Sequence, residues 1–221
     1  MTQYYIETDG KIYLIESEGE LGFPRSKENV PFEIRQKARM VIGKEEVLYS
    51  EPLISYHPES WLNKDEVPLM DNVKPIVRKA VNFSLPRVVV EAVIRDGDRV
   101  LLVKPTRGYN KDYWTLPGGF LVYSETPEEA VEREVEEEIG VNPDVTQLLN
   151  VYSASGDENS YQWIIFYFAA EIPEGSGKVA PNHEIKQLSW FKIHAASEAL
   201  HSPLMREGFD QIFLNGNDAN S

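Results

Sequence analysis

Residues 132–140 (EREVEEEIG) place five glutamates in nine positions. On a helix, like charges three or four residues apart repel each other by about 0.2–0.5 kcal/mol per pair. From Gly119 to Val141, eight glutamates accompany one arginine, a net charge of −7 against −14 for the whole chain. Carboxylate oxygens are the ligands that hard divalent cations such as Mg²⁺ prefer, and a bound cation would turn this repulsion into chelation.

The signals around this segment predict a helix over residues 127–139. Thr126 is a favourable N-cap, Pro127 suits the first helical position, and Glu129 completes a capping box. Gly140 supplies the C-terminal stop. The helix therefore begins and ends at residues whose types match those positions.

The helical period sorts the side chains of this segment into faces. Three apolar residues form one stripe that faces a core: Val131, Val135 and Ile139. Three carboxylates lie at the i, i+3 and i+4 spacing beside that stripe: Glu134, Glu137 and Glu138. A solvated acidic face explains Glu132 and Glu136, but not acidic residues crowded at a buried margin, where unpaired charge is costly. The spacing favours a cation site.

At these residues the sequence resembles the Nudix hydrolases, whose signature is G-x5-E-x7-R-E-U-x-E-E-x-G-U, with U a bulky aliphatic residue. Gly119, Glu125 and the run from Arg133 to Val141 match every fixed position. The likeness extends more loosely over residues 87–200 and does not cover residues 1–84. It implies an α/β fold, an α/β/α sandwich with a mixed sheet, over residues 85–221. The strand-like runs before a boundary near residue 84 predict a small β-rich domain over residues 1–84.

The resemblance also implies a set of site residues. It assigns one or more Mg²⁺ or Mn²⁺ ions to three glutamates and a carbonyl: Glu134, Glu137, Glu138 and the Gly118 carbonyl. Arg133 would orient a carboxylate by an ion pair, and Glu125 would either join the metal ligands or pair with Arg133. The proton acceptor would be a glutamate of the signature or one on a later loop, for which Glu184 is the candidate.

The implied reaction is water attack on phosphorus in a nucleoside diphosphate linked to another group, X. The candidates for catalysis are Glu137, Glu138, Arg133 and Glu184. Arg87, Lys104 and Arg107 are candidate phosphate contacts, with a solvated rim as the alternative. Trp114 and Phe120 could stack on a base, although aromatic residues here are more often buried in a core.

The substrate class is less closely specified. ADP-ribose and nucleoside diphosphate sugars come first, and nucleoside triphosphates or dinucleoside polyphosphates second. The SQPWPFP run of NADH-cleaving members and the coenzyme A motif are absent from the sequence. A nucleotide-sensing regulator on the same fold is the alternative from another class; an isoprenoid diphosphate isomerase is disfavoured because the chain has no cysteine.

Composition limits the partners. A net charge of −14 argues against non-specific nucleic-acid binding, which needs a basic surface. The longest apolar run, residues 163–170, is too short for a membrane span and predicts a buried strand. No signal peptide is evident at the N-terminus. These features predict a cytoplasmic protein without DNA or membrane partners, and the resemblance implies that its partner is a small-molecule nucleotide.

The remaining signals concern the other elements. Asp-Gly pairs predict two type I′ hairpins, over residues 4–16 and 87–105, and a helix is predicted over residues 71–81, capped by Asp71 or Asn72. Residues 174–180 (EGSGKVA) indicate a hairpin turn rather than a phosphate loop. Because the first hairpin would offer unpaired edges, residues 1–84 are predicted to help form a homodimer and to wall part of the substrate pocket.

Overall fold

The computed structural model describes residues 2–155, 161–175, 180–181 and 183–213. It divides the chain into two compact units: Met1–Pro86 with Ser155–Gln162, and Arg87–Ala154 with Trp163–Ser221. The turn predicted over residues 174–180 falls largely outside the described residues.

The first unit is built on a five-stranded sheet. The strands of the whole unit are β1 (Thr2–Thr8), β2 (Lys11–Tyr13), β3 (Ile15–Ser17), β4 (Glu20–Gly22), β5 (Ile34–Ile42), β6 (Glu45–Pro52) and β7 (Leu62–Asn63). The sheet has the order β5-β6-β1-β2-β7, and β3 and β4 form a separate two-stranded sheet. One helix, α1 (Pro75–Ser84), contributes to the core of this unit, and two 3₁₀ helices cover Lys27–Asn29 and Val67–Leu69.

The first hairpin is confirmed, but its expected free edges are not present. Asp9 and Gly10 have φ angles of 50° and 70°, as a type I′ turn requires, and β1 pairs antiparallel with β2. However, β1 also pairs parallel with β6, and β2 pairs with β7. The expectation of unpaired edges on this hairpin is therefore wrong, because distant segments complete the sheet on both sides.

The helix predicted over residues 71–81 begins and ends later than expected. It runs from Pro75 to Ser84, and neither Asp71 nor Asn72 caps it. Lys74 is the N-cap residue, with ψ of 141° and no side-chain cap. A residue before proline is held out of the helical region, so Pro75 sets the first turn.

The second unit is a mixed sheet between helices. Its strands are β8 (Arg87–Asp96), β9 (Arg99–Pro105), β10 (Gly118–Phe120), β11 (Asp144–Ser155), β12 (Gln162–Glu171) and β13 (Ile185–Lys192). Its helices are α2 (Pro127–Ile139), α3 (Ile193–Ala199) and α4 (Pro203–Phe213). The sheet order is β11-β12-β8-β9-β13, and β10 pairs with β8. β12 runs parallel to β8, whereas β9 and β10 run antiparallel to it.

Alternate side chains of β8 and β9 lie on opposite faces of the sheet, and each face carries its own apolar core. On one face, Val90 and Leu101 pack with Val131 and Val135 of α2. On the other, a second group packs with α3 and α4: Val89, Val93, Leu102, Ala196, Leu200 and Phe209. The predicted α/β/α sandwich with a mixed sheet is confirmed, as are the helix over residues 127–139 and the strand over 163–170.

The second hairpin forms with a different turn. Asp96 remains in β8 and pairs with Arg99, so the connecting residues are Gly97 and Asp98. Of these two, Gly97 alone has a positive φ, 60°. A positive φ at the first position alone is the pattern of a type II′ turn, so the predicted type I′ geometry is wrong at this hairpin.

Among the residues that the structure describes, no helix is both long and apolar enough to span a membrane.

Candidate active site

Helix α2 is held at both ends by the residues that the sequence indicates. Thr126 Oγ1 accepts from the Glu129 amide at 3.2 Å, and Glu129 Oε2 accepts from the Thr126 amide at 2.8 Å. Gly140 ends the helix with φ of 74° in the left-handed region. The capping box is therefore formed, and it sets where the acidic side chains of the helix begin.

A pair of glycines on β10 brings the backbone close to three carboxylates. Gly118 lies opposite Glu91 on β8. A Cβ at Gly118 would overlap the carbonyl oxygen of Val90 and lie 2.9 Å from Glu91 Oε2. A Cβ at Gly119 would overlap the carboxylate of Glu134. Glycine is needed at position 118 because a backbone atom occupies the space of a side chain, whereas a side chain at position 119 would displace the carboxylate of Glu134.

Glu138 is the most deeply placed glutamate of α2. Its side chain is buried, and Oε2 accepts a hydrogen bond from the Gly118 amide at 3.0 Å. Burial raises the pKa of Glu138 from 4.5 to about 8, and the neighbouring charges of Glu134, Glu184 and Glu137 add to that rise, whereas the Gly118 hydrogen bond opposes it. Burial also raises the pKa of Glu134, against the effect of Arg133.

Arg133 connects the helix to the loop that precedes it. Its guanidinium donates to both carboxylate oxygens of Glu125, at 2.8 and 3.1 Å, and to the Phe120 carbonyl at 3.1 Å. It also donates to Glu134 Oε1 at 2.7 Å and reaches Glu137 Oε2 at 3.5 Å. Of the two roles left open for Glu125, the structure shows the ion pair with Arg133.

Glu91 on β8 is a site residue that sequence analysis missed. It is 5% exposed, and its Oε2 has no hydrogen-bond partner. Burial, and then the charges of Glu138 and Glu134, raise its pKa well above the ordinary range. The signal was a single charged residue inside the run VVVEAVI, which contains no other polar side chain.

These carboxylates meet at one cavity of about 330 Å³ in the second unit. Four acidic residues line it: Glu91, Glu134, Glu138 and Glu184. Glu184 lies on the loop before β13. Arg107, which follows β9, forms an ion pair with its Oε1. Three aromatic rings line the cavity as well: Tyr109, Phe120 and Trp163. The ring centroid of Trp163 is 5.9 Å from that of Phe120 and 6.3 Å from that of Tyr109.

Not every predicted site residue lines this cavity. Among the described residues, Arg107 and Phe120 do, whereas Arg87, Lys104 and Trp114 do not. Trp114 packs with the core between the sheet and α3 and α4, and the Lys104 ammonium lies 4.6 Å from its ring centroid. Glu137 stands outside the lining with a half-exposed side chain. Tyr109 and Trp163 line the cavity without having been predicted to do so.

The residues present fit a divalent cation in their chemistry. Glu138 is buried, the side chain of Glu134 one turn before it is 15% exposed, and Glu91 adds an unpartnered carboxylate oxygen against Gly118. Within the described residues, no three histidine or acidic side chains already stand close enough to hold a metal ion. A divalent ion held by three of these side chains would therefore require the carboxylates to move closer together.

The comparisons with known proteins identify this architecture. The model of the NUDIX domain matches residues 85–212, which include the acidic helix and the paired glycines. The chain belongs to the NUDIX domain family. A solved structure of the MutT protein from Methanosarcina mazei Go1 has the same fold, with a TM-score of 0.50 and 23% identity over 58% of this chain and 94% of that one.

Two curated relatives illustrate the range of activities within the family. An ADP-ribose pyrophosphatase from Methanocaldococcus jannaschii is 33% identical over 109 residues, which are 49% of this chain and 63% of that protein. Diphosphoinositol polyphosphate phosphohydrolase 3-alpha from Mus musculus is 32% identical over 128 residues, which are 56% of this chain and 74% of that one. The match therefore spans less than two thirds of the archaeal relative.

Proposed function

We propose that this protein is a hydrolase, dependent on Mg²⁺ or Mn²⁺, that cleaves a nucleoside diphosphate linked to another group. ADP-ribose and nucleoside diphosphate sugars are the favoured substrates, and water attacks phosphorus. The observation that carries the proposal is the convergence of Glu134, Glu138 and Glu184 on one cavity that aromatic rings also line. Such a cavity is of the size that small-molecule ligands occupy.

The side chains have three proposed roles: to hold a divalent ion, to position a ligand of that ion and to accept a proton. When bound, a divalent ion neutralises phosphate charge and lowers the pKa of an attacking water. Glu134, Glu137, Glu138 and the Gly118 carbonyl would hold it. Arg133 positions Glu134 by donating to its carboxylate. Glu184 is the proposed proton acceptor, because it comes from a different element and lines the same cavity.

The lining of the cavity bears on the substrate. Tyr109, Phe120 and Trp163 offer ring faces on which a nucleobase can stack. Among the described lining residues, Arg107 is the one cationic side chain, and it is paired with Glu184. A densely phosphorylated inositol, the ligand named for the murine relative, would need several cations. The cavity therefore favours a nucleoside diphosphate derivative, as the name of the archaeal relative also suggests.

Two other functions remain as alternatives to this proposal. Nucleoside triphosphates or dinucleoside polyphosphates would use the same acidic residues, with a longer phosphate chain. A nucleotide-sensing regulator would bind a nucleotide without hydrolysing it. The retention of every signature glutamate favours hydrolysis. We further propose that the protein acts in the cytoplasm on free nucleotides, without a nucleic-acid partner, as its charge of −14 supports.

A substrate screen in Mg²⁺ with products identified by mass tests the activity. ADP-ribose, nucleoside diphosphate sugars, nucleoside triphosphates and dinucleoside polyphosphates form the panel. For the favoured class, we expect a nucleoside monophosphate and a phosphorylated X. Turnover in ¹⁸O-labelled water should place the label on one of these two phosphates, because water attacks phosphorus.

The same measurement separates the alternatives. Free phosphate as the sole phosphorus product, or no label in either fragment, would overturn the proposed reaction. Tight nucleotide binding without turnover of any member of the panel would favour the regulator. Glu136→Gln is the matched control for acidic substitutions, since Glu136 is exposed on the same helix.

A further inference from the structure

The position of Glu91 is unusual for a carboxylate. It lies in the middle of β8, a strand otherwise apolar from Val88 to Ile94, and its burial exceeds nine tenths. A buried charged group normally has a hydrogen-bond or ion-pair partner, since the lost hydration is not otherwise replaced. Glu91 Oε2 has none. Packing alone would be served better by an aliphatic residue.

The surroundings of Glu91 increase the cost of an isolated charge. It lines the same cavity as Glu134 and Glu138, and no basic side chain forms an ion pair with it among the described residues. Glu134, by contrast, has Arg133. Three carboxylates at one cavity repel one another, and the repulsion is weakly screened where water is excluded. A cation within reach of all three would offset both the repulsion and the missing partner.

Gly118 explains how a residue on a strand can reach the carboxylates of a helix. Glu91 faces Gly118 directly across the β8–β10 pairing. Because Gly118 has no side chain, Glu91 Oε2 can lie 2.9 Å from the position that a Cβ would take, and Glu138 Oε2 accepts from the amide of the same glycine at 3.0 Å. Carboxylates from β8 and α2 thus lie against one residue whose carbonyl is itself a proposed ligand.

We propose that Glu91 is an additional carboxylate ligand of the divalent ion held by Glu134 and Glu138. This inference rests on the proposed function, because it assumes that the helix glutamates bind a cation. It adds a ligand from outside the signature segment, supplied by the central strand of the sheet. Five oxygen donors on three elements would then surround the ion: Glu91, the Gly118 carbonyl, Glu134, Glu137 and Glu138.

Direct titration of the full chain with Mn²⁺, followed by electron paramagnetic resonance of the free ion, tests the inference without turnover. Glu91→Gln keeps the side-chain shape and removes the charge. We expect its Kd for Mn²⁺ to rise by about tenfold or more, which is the order of effect seen when groups that support a metal site are removed. Glu138→Gln should weaken binding as well, and the exposed control Glu136→Gln should leave the Kd within roughly twofold.

Three outcomes would overturn the inference. If Glu91→Gln binds Mn²⁺ as the unchanged protein does while Glu138→Gln does not, the helix site stands and Glu91 is not part of it. If Glu91→Gln keeps Mn²⁺ affinity but loses affinity for a non-hydrolysable nucleotide, Glu91 contacts the substrate instead. If the unchanged protein binds no Mn²⁺, the metal dependence under the proposed function fails, and this inference fails with it.

A second measurement covers the case in which Glu91→Gln does not fold. Crystals of the unchanged protein soaked in Mn²⁺ give an anomalous peak at the ion. We expect that peak within bonding distance of a Glu91 carboxylate oxygen. A peak bonded to Glu138 but not to Glu91 would overturn the assignment.

Discussion

Neighbouring glutamates of helix α2 differ sharply in their surroundings. Glu138 is 7% exposed, and Gly118 donates to it, whereas the Glu137 side chain is half exposed and reaches Arg133 at 3.5 Å. The charge of Glu137 contributes to the raised pKa of Glu134, and the charge of Glu138 contributes to the raised pKa of Glu91. Removing either charge should therefore disturb the site, although only Glu138 is part of its buried wall.

The first prediction concerns these two residues. Glu137→Gln and Glu138→Gln keep side-chain shape and helix propensity but remove a charge. We expect each to lower kcat/KM by about 100-fold or more under saturating Mg²⁺, in line with the loss of a preorganised electrostatic group. Steady-state kinetics and circular dichroism are the measurements. Near-normal turnover in both variants would show that the assigned metal site is wrong; Glu136→Gln should retain activity.

The second prediction concerns pH and stability in the absence of divalent ions. The folded pKa of Glu138 is about 8, above its ordinary 4.5, so its charged form disfavours the folded state. The stability present at low pH is lost as pH rises from about 4.5 through 8. Burial raises the pKa of Glu91 and Glu134 in the same direction.

Urea unfolding in EDTA at pH 5 and pH 8 measures this effect. The unchanged protein should have the lower free energy of unfolding at pH 8. Glu138→Gln should reduce the difference without removing it, because Glu91 and Glu134 also have raised pKa values. An equal difference in both proteins would contradict the burial of an ionisable Glu138.

Among the elements, strand β10 has the strictest requirement for its residue types. Its two glycines make different contacts: Gly118 is limited by the backbone of Val90, and Gly119 by the carboxylate of Glu134. A backbone atom cannot move without disturbing the β8–β10 pairing, whereas a long side chain can rotate away. Adding one methyl group at each position therefore separates the stability of the fold from the geometry of the site.

The third prediction follows from this difference. Gly118→Ala should lower the Tm markedly, because its Cβ overlaps a main-chain oxygen. Gly119→Ala should change the Tm little but lower kcat and weaken Mn²⁺ binding, because it displaces Glu134. Thermal unfolding and Mn²⁺ titration of both variants are the measurements. Equal losses of Tm would contradict the proposed division of roles.

At the scale of the whole molecule, the first unit still requires a role. We propose that it forms a homodimer interface, although not through the hairpin over residues 4–16, whose strands are paired within the sheet. The edge strand β5 presents Arg35, Lys37 and Arg39, and such charges disfavour pairing with another sheet edge. Exposed apolar side chains such as Leu69, 83% exposed, are better candidates for the interface.

The fourth prediction tests that proposal in the full chain. Light scattering should give the mass of a dimer, and Leu69→Glu should shift it toward that of a single chain. Tyr123→Glu is the matched control, because Tyr123 is exposed in the other unit. A single-chain mass for the unchanged protein at all concentrations would exclude the homodimer.

Local chemistry was enough to predict several parts of this protein from its sequence. Thr126, Glu129 and Gly140 define the ends of α2, because capping involves residues a few positions apart. Asp9 and Gly10 define the first hairpin for the same reason. The signature residues from Gly119 to Val141 indicate the family, and Glu125 pairs with Arg133 within that short segment.

Tertiary structure decided the rest, because it brings together residues that are distant along the chain. Nothing in the local sequence shows that Glu91 of β8 faces Gly118, or that Glu184 reaches the cavity of α2. Trp114 and Trp163 are the same residue type and both pack against the core beside α3 and α4, yet of these two only Trp163 also lines the cavity. Strand pairing and burial determine these positions, and both depend on contacts between segments that are far apart in the sequence.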